Sequence, residues 1–244
     1  MKIDLAIPVL NEEQTLSQNV LRARDYIKAH LADRDVRLVI ADNGSQDRTE
    51  EIGRGLAAAH PDIEYCRVPA RGVGLAMKYT WSRSAADVVG YMDLDLATDL
   101  AHLRQVFDAI ANGADIVYGS RLHRDAVVTG RSFKREVISR AFNAVLKVYL
   151  GARFSDGMCG FKFLRRAILP DLMAAGAVSD GWFFSTELLI AAQRLGYKLY
   201  ELPVHWTDDP VSRVKVGRLT REDLRAMRAI KHYPVPPGLG PRRA

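Results

Sequence analysis

Residues 3–49 decide the fold class of this chain of 244 residues, and they read IDLAIPVLNEEQTLSQNVLRARDYIKAHLADRDVRLVIADNGSQDRT. An apolar run at Ile3–Val9 and a second at Val36–Ala41 predict two strands. Apolar residues recur at helical spacing between these runs, which predicts a helix there. Asn11 stands at the position of its N-cap, and Glu12 opens an acidic first turn. The order strand, helix, strand is typical of α/β folds.

The same alternation continues outward from this stretch through the first half of the chain. Further apolar runs predict strands at Ile63–Val68, Val88–Met92 and Ile116–Tyr118, and amphipathic stretches predict helices at Thr49–Ala59, Leu75–Ser84 and Leu100–Ala111. Strands that are apolar on both faces and alternate with helices predict a largely parallel sheet with helices on both sides. The fold class is therefore α/β.

The second half departs from this rhythm without adding a second domain. It contains a loop, a basic amphipathic stretch at Lys134–Leu150, a short strand GFKFL, two further helices and a strand at Lys198–Trp206. We assign residues 1–231 to one domain, a size that suits a single core. Residues 232–244 are rich in Pro and Gly and predict an irregular C-terminal tail.

Composition excludes several classes of protein. Hydrophobic residues make up 48% of the chain and charged residues 26%, which is typical of folded globular proteins and not of disordered ones. Cys66 and Cys159 lack the spacing of a zinc site or a disulfide framework. No uncharged run approaches the roughly 20 apolar residues of a membrane-spanning helix. Acidic residues follow the N-terminus too closely for a signal peptide, so we expect a cytoplasmic protein. The absence of GxGxxG disfavours a dinucleotide oxidoreductase.

The positive charge of the chain is concentrated in two segments. The net charge is +6, and residues 121–153 carry eight Lys or Arg against two acids, while residues 205–244 carry nine against four. The remainder of the chain is therefore slightly acidic. This asymmetry predicts a local anionic ligand, and we expect no nucleic-acid partner.

Two acidic motifs follow predicted strands, where open α/β sheets bind ligands. Asp93 and Asp95 follow the fourth strand, and their two-residue spacing puts both carboxylates on one side of an extended chain. Paired carboxylates suit Mg²⁺ or Mn²⁺, and Mg²⁺ is commonly bound together with substrate phosphates. A solvated acidic loop would explain the same pair. Asp42 follows the second strand and could accept hydrogen bonds from a nucleotide base or ribose. Taken alone, this loop is better explained by turn and capping chemistry.

Several ordered motifs resemble those of inverting glycosyltransferases of family 2, and in particular the polyprenyl-phosphate or dolichol-phosphate glycosyltransferases. The resemblance covers residues 3–213, and its motifs are IPVLNEE, ADNGSQDRT, DLD, YGSR, KREVISRAFN and DGMCGFKFLRR. The resemblance implies a GT-A fold, which is a Rossmann-like, mostly parallel sheet flanked by helices in one domain. One departure is Ala97, because close relatives often place a third metal ligand at this position.

The resemblance also implies roles for single residues. Pro8, Leu10, Glu12 and Asp42 would line the nucleotide pocket, while Asp93 and Asp95 would carry the metal and the donor diphosphate. Arg121, Arg135 and Ser139 would face the acceptor phosphate, and Arg213 would lie on a late loop beside the phosphates.

Physical chemistry supports the assignment of the arginines. A phosphate acceptor is already anionic near neutral pH, so it needs cations that orient it more than it needs a strong base. Arginine binds phosphate in a bidentate manner, and Arg121, Arg131 and Arg135 are close in sequence. A solvated basic face remains the alternative. Lys134–Leu150 fits a helix at a membrane interface and fits a core-facing helix equally well.

These observations predict an enzyme that transfers a hexose from a nucleotide diphosphate sugar, of the UDP-glucose or GDP-mannose type, to a polyprenyl phosphate. We expect it to depend on Mg²⁺ or Mn²⁺, to invert the anomeric centre and to act at the cytoplasmic membrane face. It would reach the membrane by peripheral contact or through a separate membrane subunit. One alternative is transfer to a soluble glycan or a small molecule. The other is a catalytically silent nucleotide-sugar-binding subunit of a membrane complex.

Overall fold

Strands and helices alternate along the computed structural model, which describes residues 1–68, 70–208 and 221–241. The strands are β1 (Lys2–Val9), β2 (Asp35–Asp42), β3 (Ile63–Arg67), β4 (Val88–Met92), β5 (Ile116–Ser120), β6 (Val127–Thr129), β7 (Phe161–Arg165), β8 (Leu199–Pro203) and β9 (His205–Thr207). The helices are α1 (Leu16–His30), α2 (Thr49–Ala59), α3 (Val73–Arg83), α4 (His102–Ala111), α5 (Phe133–Leu150), α6 (Leu169–Ala174), α7 (Phe184–Leu195) and α8 (Arg221–Lys231).

Seven strands form one sheet in the order β3-β2-β1-β4-β7-β5-β8, and β6 pairs separately with β9. Within the large sheet, β7 is antiparallel to its neighbours β4 and β5. The other pairs of that sheet are parallel. The predicted α/β class with a mostly parallel sheet is therefore confirmed.

The hydrophobic core lies in two layers, one on each face of the sheet. Because side chains alternate along a strand, Leu5 and Ile7 of β1 pack with residues of α1, α2 and α4. Ala6, between them, packs on the opposite face with residues of α3, α6 and α7. Burial on both faces explains why β1 reads as a nearly continuous apolar run.

Two predictions about element boundaries are wrong. Helix α1 begins at Leu16 and not directly after Asn11, whose φ is 56° and whose Oδ1 accepts a hydrogen bond from the amide of Gln46 (2.8 Å). Asn11 thus joins two loops and caps no helix. The predicted strand Lys198–Trp206 is two strands, because the chain passes from the large sheet in β8 to the β6–β9 pair.

The described part of the C-terminal tail packs against the domain. Residues 232–241 contain turns but neither helix nor strand, and the amide of Gly240 donates to the carboxylate of Asp171 on α6 (3.2 Å). The boundary after residue 231 and the irregular character of residues 232–244 stay predictions. Among the described helices, none combines the length and the apolar character needed to cross a bilayer.

Candidate active site

The chemistry-bearing motifs meet at one edge of the sheet. Strands β1, β2, β4 and β5 run in the same direction, so their carboxyl ends lead there to Leu10, Asp42, Asp93 and Arg121. Strand β7 runs in the opposite direction and begins at this edge, directly after Gly160. The carboxyl edge of an open α/β sheet is where ligands bind.

Asp93 holds a carboxylate oxygen that lacks a hydrogen-bond donor. Its backbone amide donates to the carbonyl of Gly160 (3.2 Å), which fixes it beside β7. Its Oδ1 is buried and, within the described residues, accepts no hydrogen bond. Burial, followed by the charge of Asp95, raises the pKa of Asp93 to about 7. A buried carboxylate oxygen without a donor, next to a second carboxylate, suits a cation.

Asp95 lies in the tight turn that follows. Its Oδ1 accepts a hydrogen bond from the amide of Ala97 (3.0 Å), and Leu96 between them has a φ of 53°. This φ is unusual for a residue with a side chain and marks a constrained loop. The second carboxylate lies only two residues after the first, and its charge contributes to the raised pKa of Asp93.

The donor set for a metal is small. Ala97 supplies no side-chain oxygen, and the described ranges hold no group of three or more His, Cys, Asp or Glu side chains suited to a metal. A divalent ion at this edge would therefore take its protein ligands from Asp93 and Asp95. Oxygen atoms of a diphosphate or of water would complete the set, as is common for Mg²⁺.

Asp42 is fully buried and engaged within the protein. Its Oδ1 accepts from the amide of Ser45 (2.8 Å), and its Oδ2 accepts from the hydroxyl of Tyr65 (2.5 Å). Arg67 lies 3.7 Å from the same carboxylate. These contacts are the turn chemistry that the sequence left open. A direct bond from Asp42 to a nucleotide stays a prediction.

The loops after β1 and β2 are joined by side-chain hydrogen bonds. The amide of Asn11 donates to the Ser45 hydroxyl (3.0 Å), and the amide of Glu12 donates to the Thr49 hydroxyl (2.8 Å). The amide of Glu13 donates to a carboxylate in the second loop (3.2 Å). These bonds shape a rim in which three residues of the predicted nucleotide pocket are partly exposed, namely Pro8, Leu10 and Glu12.

Arg121 forms a buried ion pair with Asp156. Its Nε donates to Oδ2 (2.7 Å) and its Nη2 donates to Oδ1 (3.0 Å), a bidentate geometry. Burial opposes both charges, but the attraction of the partner outweighs it, which raises the pKa of Arg121 and lowers that of Asp156 to about 2. The guanidinium also lies over the ring of Trp206 (4.9 Å). Arg121 is therefore held rigidly in the protein.

Lys162 is a second buried cation, located on β7 beneath the acidic edge. Its Nζ donates to the backbone carbonyls of Gly157 (3.1 Å) and Cys159 (2.6 Å). Burial lowers its pKa to about 8. Lys162 therefore fixes the loop that leads to Gly160, and its positive charge partly offsets the rise in the pKa of Asp93. The sequence analysis assigned no role to Lys162 or to Asp156. The available signal was the Asp-Gly pair at Asp156, which marks a loop just before the short strand GFKFL.

Two of the predicted phosphate-binding arginines, Arg121 and Arg131, line a cleft of about 610 Å³ with the side chains of Arg124, Phe133 and Arg140 among others. Burial, followed by the charge of Arg121, lowers the pKa of Arg131. The lining of the cleft thus holds four arginines against one acid, Glu136, in a partly desolvated place. Such an environment favours an anionic ligand.

Two of the other predicted acceptor residues, Arg135 and Ser139, lie on helix α5. Arg135 pairs with Asp208 (2.6 Å), and Arg131 pairs with Glu136 (2.9 Å). Ser139 is buried, and its carbonyl accepts from Asn143 (2.9 Å). Arg213 lies outside the described residues. The structure thus brings Arg121 and Arg131 together in the cleft, and the assigned roles of these residues stay predictions.

Comparisons with known proteins identify relatives. The model of the glycosyl transferase family 2 matches residues 4–173. The chain is 31% identical over 220 residues to glycosyltransferase AglD of Haloferax volcanii. The matched region covers 89% of this chain and 35% of that relative. It is 29% identical over 207 residues to polyprenol monophosphomannose synthase of Mycolicibacterium smegmatis, covering 83% of the chain and 76% of the relative.

The fold has solved counterparts. Glucosyl-3-phosphoglycerate synthase from Mycobacterium tuberculosis, in complex with Mn²⁺, uridine diphosphate and phosphoglyceric acid, superimposes with a TM-score of 0.66 at 20% identity. The match covers 96% of this chain and 79% of that one. The predicted GT-A fold and the predicted glycosyltransferase enzyme are confirmed. Since the family model spans most of the sheet and its acidic edge, the chain belongs to glycosyl transferase family 2.

Proposed function

We propose that this chain transfers a hexose from a nucleotide diphosphate sugar, of the UDP-glucose or GDP-mannose type, to a polyprenyl phosphate. The observation that carries the proposal is the buried Oδ1 of Asp93, which lacks a donor and lies beside Asp95. A paired, partly desolvated carboxylate suits a divalent cation and hence a diphosphate leaving group. Polyprenol monophosphomannose synthase and two dolichyl-phosphate β-glucosyltransferases of Trichomonas vaginalis are relatives that support the acceptor class.

On the donor side, Asp93 and Asp95 would hold Mg²⁺ or Mn²⁺. When bound, the ion supplies positive charge against the charge that develops on the departing nucleoside diphosphate. Pro8, Leu10 and Glu12 would line the pocket for the nucleotide. Asp42 supports that pocket through Ser45 and Tyr65, and we retain it as a nucleotide-binding residue in the proposal.

On the acceptor side, the arginines would bind and orient the phosphate. An oxygen of the acceptor phosphate forms a bond to the anomeric carbon, while the bond from that carbon to the diphosphate oxygen breaks, so one displacement inverts the centre. The acceptor is already an anion and needs no strong base. Arg131 and Arg135, which now pair with carboxylates, could exchange them for phosphate. Arg121, Ser139 and Arg213 complete the proposed acceptor site.

The proposed place of action is the cytoplasmic face of the membrane. A polyprenyl phosphate carries its phosphate at the surface of the bilayer, so the enzyme must approach that surface. Peripheral contact or a separate membrane subunit would serve. AglD is much longer than this chain, which covers 35% of it.

The test supplies labelled UDP-glucose or GDP-mannose with Mn²⁺ and a short polyprenyl phosphate, and measures label in the organic phase. Label in that phase, from either donor, is the expected result. Label confined to water-soluble product would move the activity to a soluble acceptor. Donor binding without turnover would indicate a silent binding subunit.

Two variants assign the roles. Asp95→Asn should lower transfer by about 100-fold or more, because it removes a charged metal ligand, and Asp99→Asn in the same loop is its matched control. Arg135→Ala should raise the KM for the acceptor about tenfold or more and leave the KM for the donor unchanged. Unchanged transfer in Asp95→Asn would remove it from the metal site, and an unchanged acceptor KM would remove Arg135 from the acceptor site.

A further inference from the structure

Helix α5 buries one face and exposes an apolar stripe on the other. Its buried residues recur at helical spacing and are Ser139, Asn143 and Leu146. Five exposed apolar residues recur at the same spacing on the far side, and we call them the α5 stripe: Phe133, Val137, Ala141, Ala144 and Val148. Val145 and Tyr149 are also exposed and lie beside the stripe, on the side of Lys134. The two at its ends, Phe133 and Val148, are 84% and 88% exposed. The far side of a core-facing helix is ordinarily polar, so this stripe needs another explanation.

The stripe is long, straight and narrow. At 100° per residue its five members fall within about 80° of the helix circumference, and at 1.5 Å per residue they extend over about 22 Å. One side of the helix packs on the core, as the core-facing alternative predicted, and the stripe lies on the opposite side. A continuous exposed apolar strip of this length is typical of a contact surface.

Charged residues border the stripe on both sides. Lys134 lies at one edge, and Arg140 and Lys147 lie at the other. All three are exposed. The acid of this helix, Glu136, is neutralised by contacts with Arg131 and Arg140. An exposed apolar strip flanked by these three cations matches a bilayer surface that carries anionic headgroups, because long cationic side chains reach the headgroups while the strip enters the acyl boundary.

The stripe is also continuous with the cationic cleft. Phe133 begins the stripe and lines the cleft, and Arg140 borders both. A phosphate held in the cleft would thus have its hydrocarbon chain at the stripe. Pairing of two stripes in a dimer would instead bring Lys134, Arg140 and Lys147 of both copies together, which is electrostatically unfavourable.

We propose that the α5 stripe is the membrane-docking surface of this protein, seated on anionic lipid with Phe133 and Val148 inserted and the cleft open toward the bilayer. The proposal deepens the proposed function and rests on it for the lipid-linked acceptor. It assigns docking to peripheral contact by the catalytic domain itself.

The test measures flotation with vesicles of phosphatidylcholine alone and with about 30% phosphatidylglycerol. The protein should float with the anionic vesicles, and Val148→Glu should weaken binding about tenfold or more, because it places a charge in the acyl boundary. The matched control is Val178→Glu. Val178 is a 41% exposed valine in the loop between α6 and α7, and its variant should bind as the unmodified protein does. Equal melting temperatures of all three proteins establish that the fold is unchanged.

A parallel assay separates this proposal from the proposed function. With a short, water-soluble isoprenyl phosphate, Val148→Glu should keep the full transfer rate, whereas with a long-chain acceptor in vesicles it should lose about 90% of it. Transfer to the short acceptor without vesicle binding would overturn the docking surface and leave the function standing. Vesicle binding without transfer to either acceptor would do the reverse. A dimer that Val148→Glu dissociates, in a protein that binds no vesicles, would assign the stripe to a second copy.

Discussion

Asp93 costs the folded protein stability when it is ionised. Its pKa rises from the ordinary value of 3.8 to about 7, so the folded state binds this proton more tightly than the unfolded chain does. The contribution of Asp93 to stability is therefore fully present below about pH 4 and is lost as the pH rises through about 7. A divalent cation bound between the carboxylates of Asp93 and Asp95 would offset the stability cost of the ionised Asp93.

Substitution Asp93→Asn should remove this pH dependence. At pH 8 and without metal, the variant should melt about 2–6 °C higher than the unmodified protein, and at pH 4 the two should melt nearly together. Mn²⁺ should stabilise the unmodified protein at pH 8 and fail to stabilise the variant. Thermal melting at several pH values, with and without Mn²⁺, measures all three effects. A variant that melts lower than the unmodified protein at pH 8 would contradict the stability cost assigned to the ionised Asp93.

At the residue scale, the sequence predicted the acids but not their surroundings. The spacing of Asp93 and Asp95 after an apolar run places them at the edge of the sheet, which the structure shows. Lys162 escaped prediction because its partners are backbone carbonyls, which no side-chain pattern reports. Asp156 escaped prediction because its charge is compensated by a group distant in sequence. Asp156 lies 35 positions from Arg121, its partner, and no local pattern reports such a pairing.

At the element scale, strand β7 determines how the acidic edge is built. Because it is inserted antiparallel between β4 and β5, its first residues meet the carboxyl ends of its neighbours. Gly160, just before it, leaves room for Asp93, and a methyl group at this position would overlap the carboxylate. The absence of a side chain at Gly160 is therefore a condition for the conformation of Asp93.

Substitution Gly160→Ala should displace the Asp93 carboxylate and lower the transfer rate by about 100-fold, since misplacement by about 1 Å has effects of this size. Mn²⁺ binding should weaken in parallel. The control is Gly55→Ala on α2, where a Cβ meets no atom within 4 Å. It should leave transfer unchanged and stabilise the helix by about 0.5–1 kcal/mol. Steady-state kinetics and Mn²⁺ titration provide the readout, and a Gly160→Ala enzyme of normal rate would refute the steric role.

Element positions in the first half were predictable, and orientation in the second half was not. The first five strands match their predicted ranges within two residues, because each contains a short apolar run. In β1, β4 and β5 nearly every residue is buried. The first helix does not begin after Asn11 as predicted. An asparagine can cap a helix or join two loops, and the sequence does not distinguish these roles. The strand GFKFL was predicted without its direction, which depends on which neighbours it meets. The break between β8 and β9 depends on Val204, whose amide donates to the carbonyl of Ser120 (3.2 Å).

At the scale of the whole molecule, stability should vary from the centre of the sheet outward. Strands β1 and β4 are flanked by strands on both sides and covered by a core layer on each face. The β6–β9 pair consists of two strands of three residues. Segments with fewer buried contacts open at lower free energy.

Hydrogen exchange should therefore be slowest in β1 and β4 and fastest, among the strands, in β6 and β9. We expect protection to differ by about 100-fold or more between these groups. Peptide-resolved mass spectrometry, corrected with a fully deuterated sample, measures the ratio. Similar exchange in both groups would show that the protein opens as one cooperative unit.

The distribution of charge along the sequence predicted the position of the cationic cleft but not which face of α5 is exposed. The positive segment at residues 121–153 predicted an anionic ligand, and the structure places the cleft there. Periodicity could not separate the two faces of α5, because apolar residues occur on both. Which face of α5 is covered depends on the core layer that also contains residues of α3, α6 and α7. That packing exists only in the folded molecule.

The hydrogen bonds between the loops after β1 and β2 constrain how this enzyme can be re-engineered. A chimera that imports only one loop from a homologous enzyme would strand the amides of Asn11 and Glu12, or the hydroxyls of Ser45 and Thr49. Donor preference should therefore transplant as a two-segment cassette, with residues 10–13 and 42–49 exchanged together.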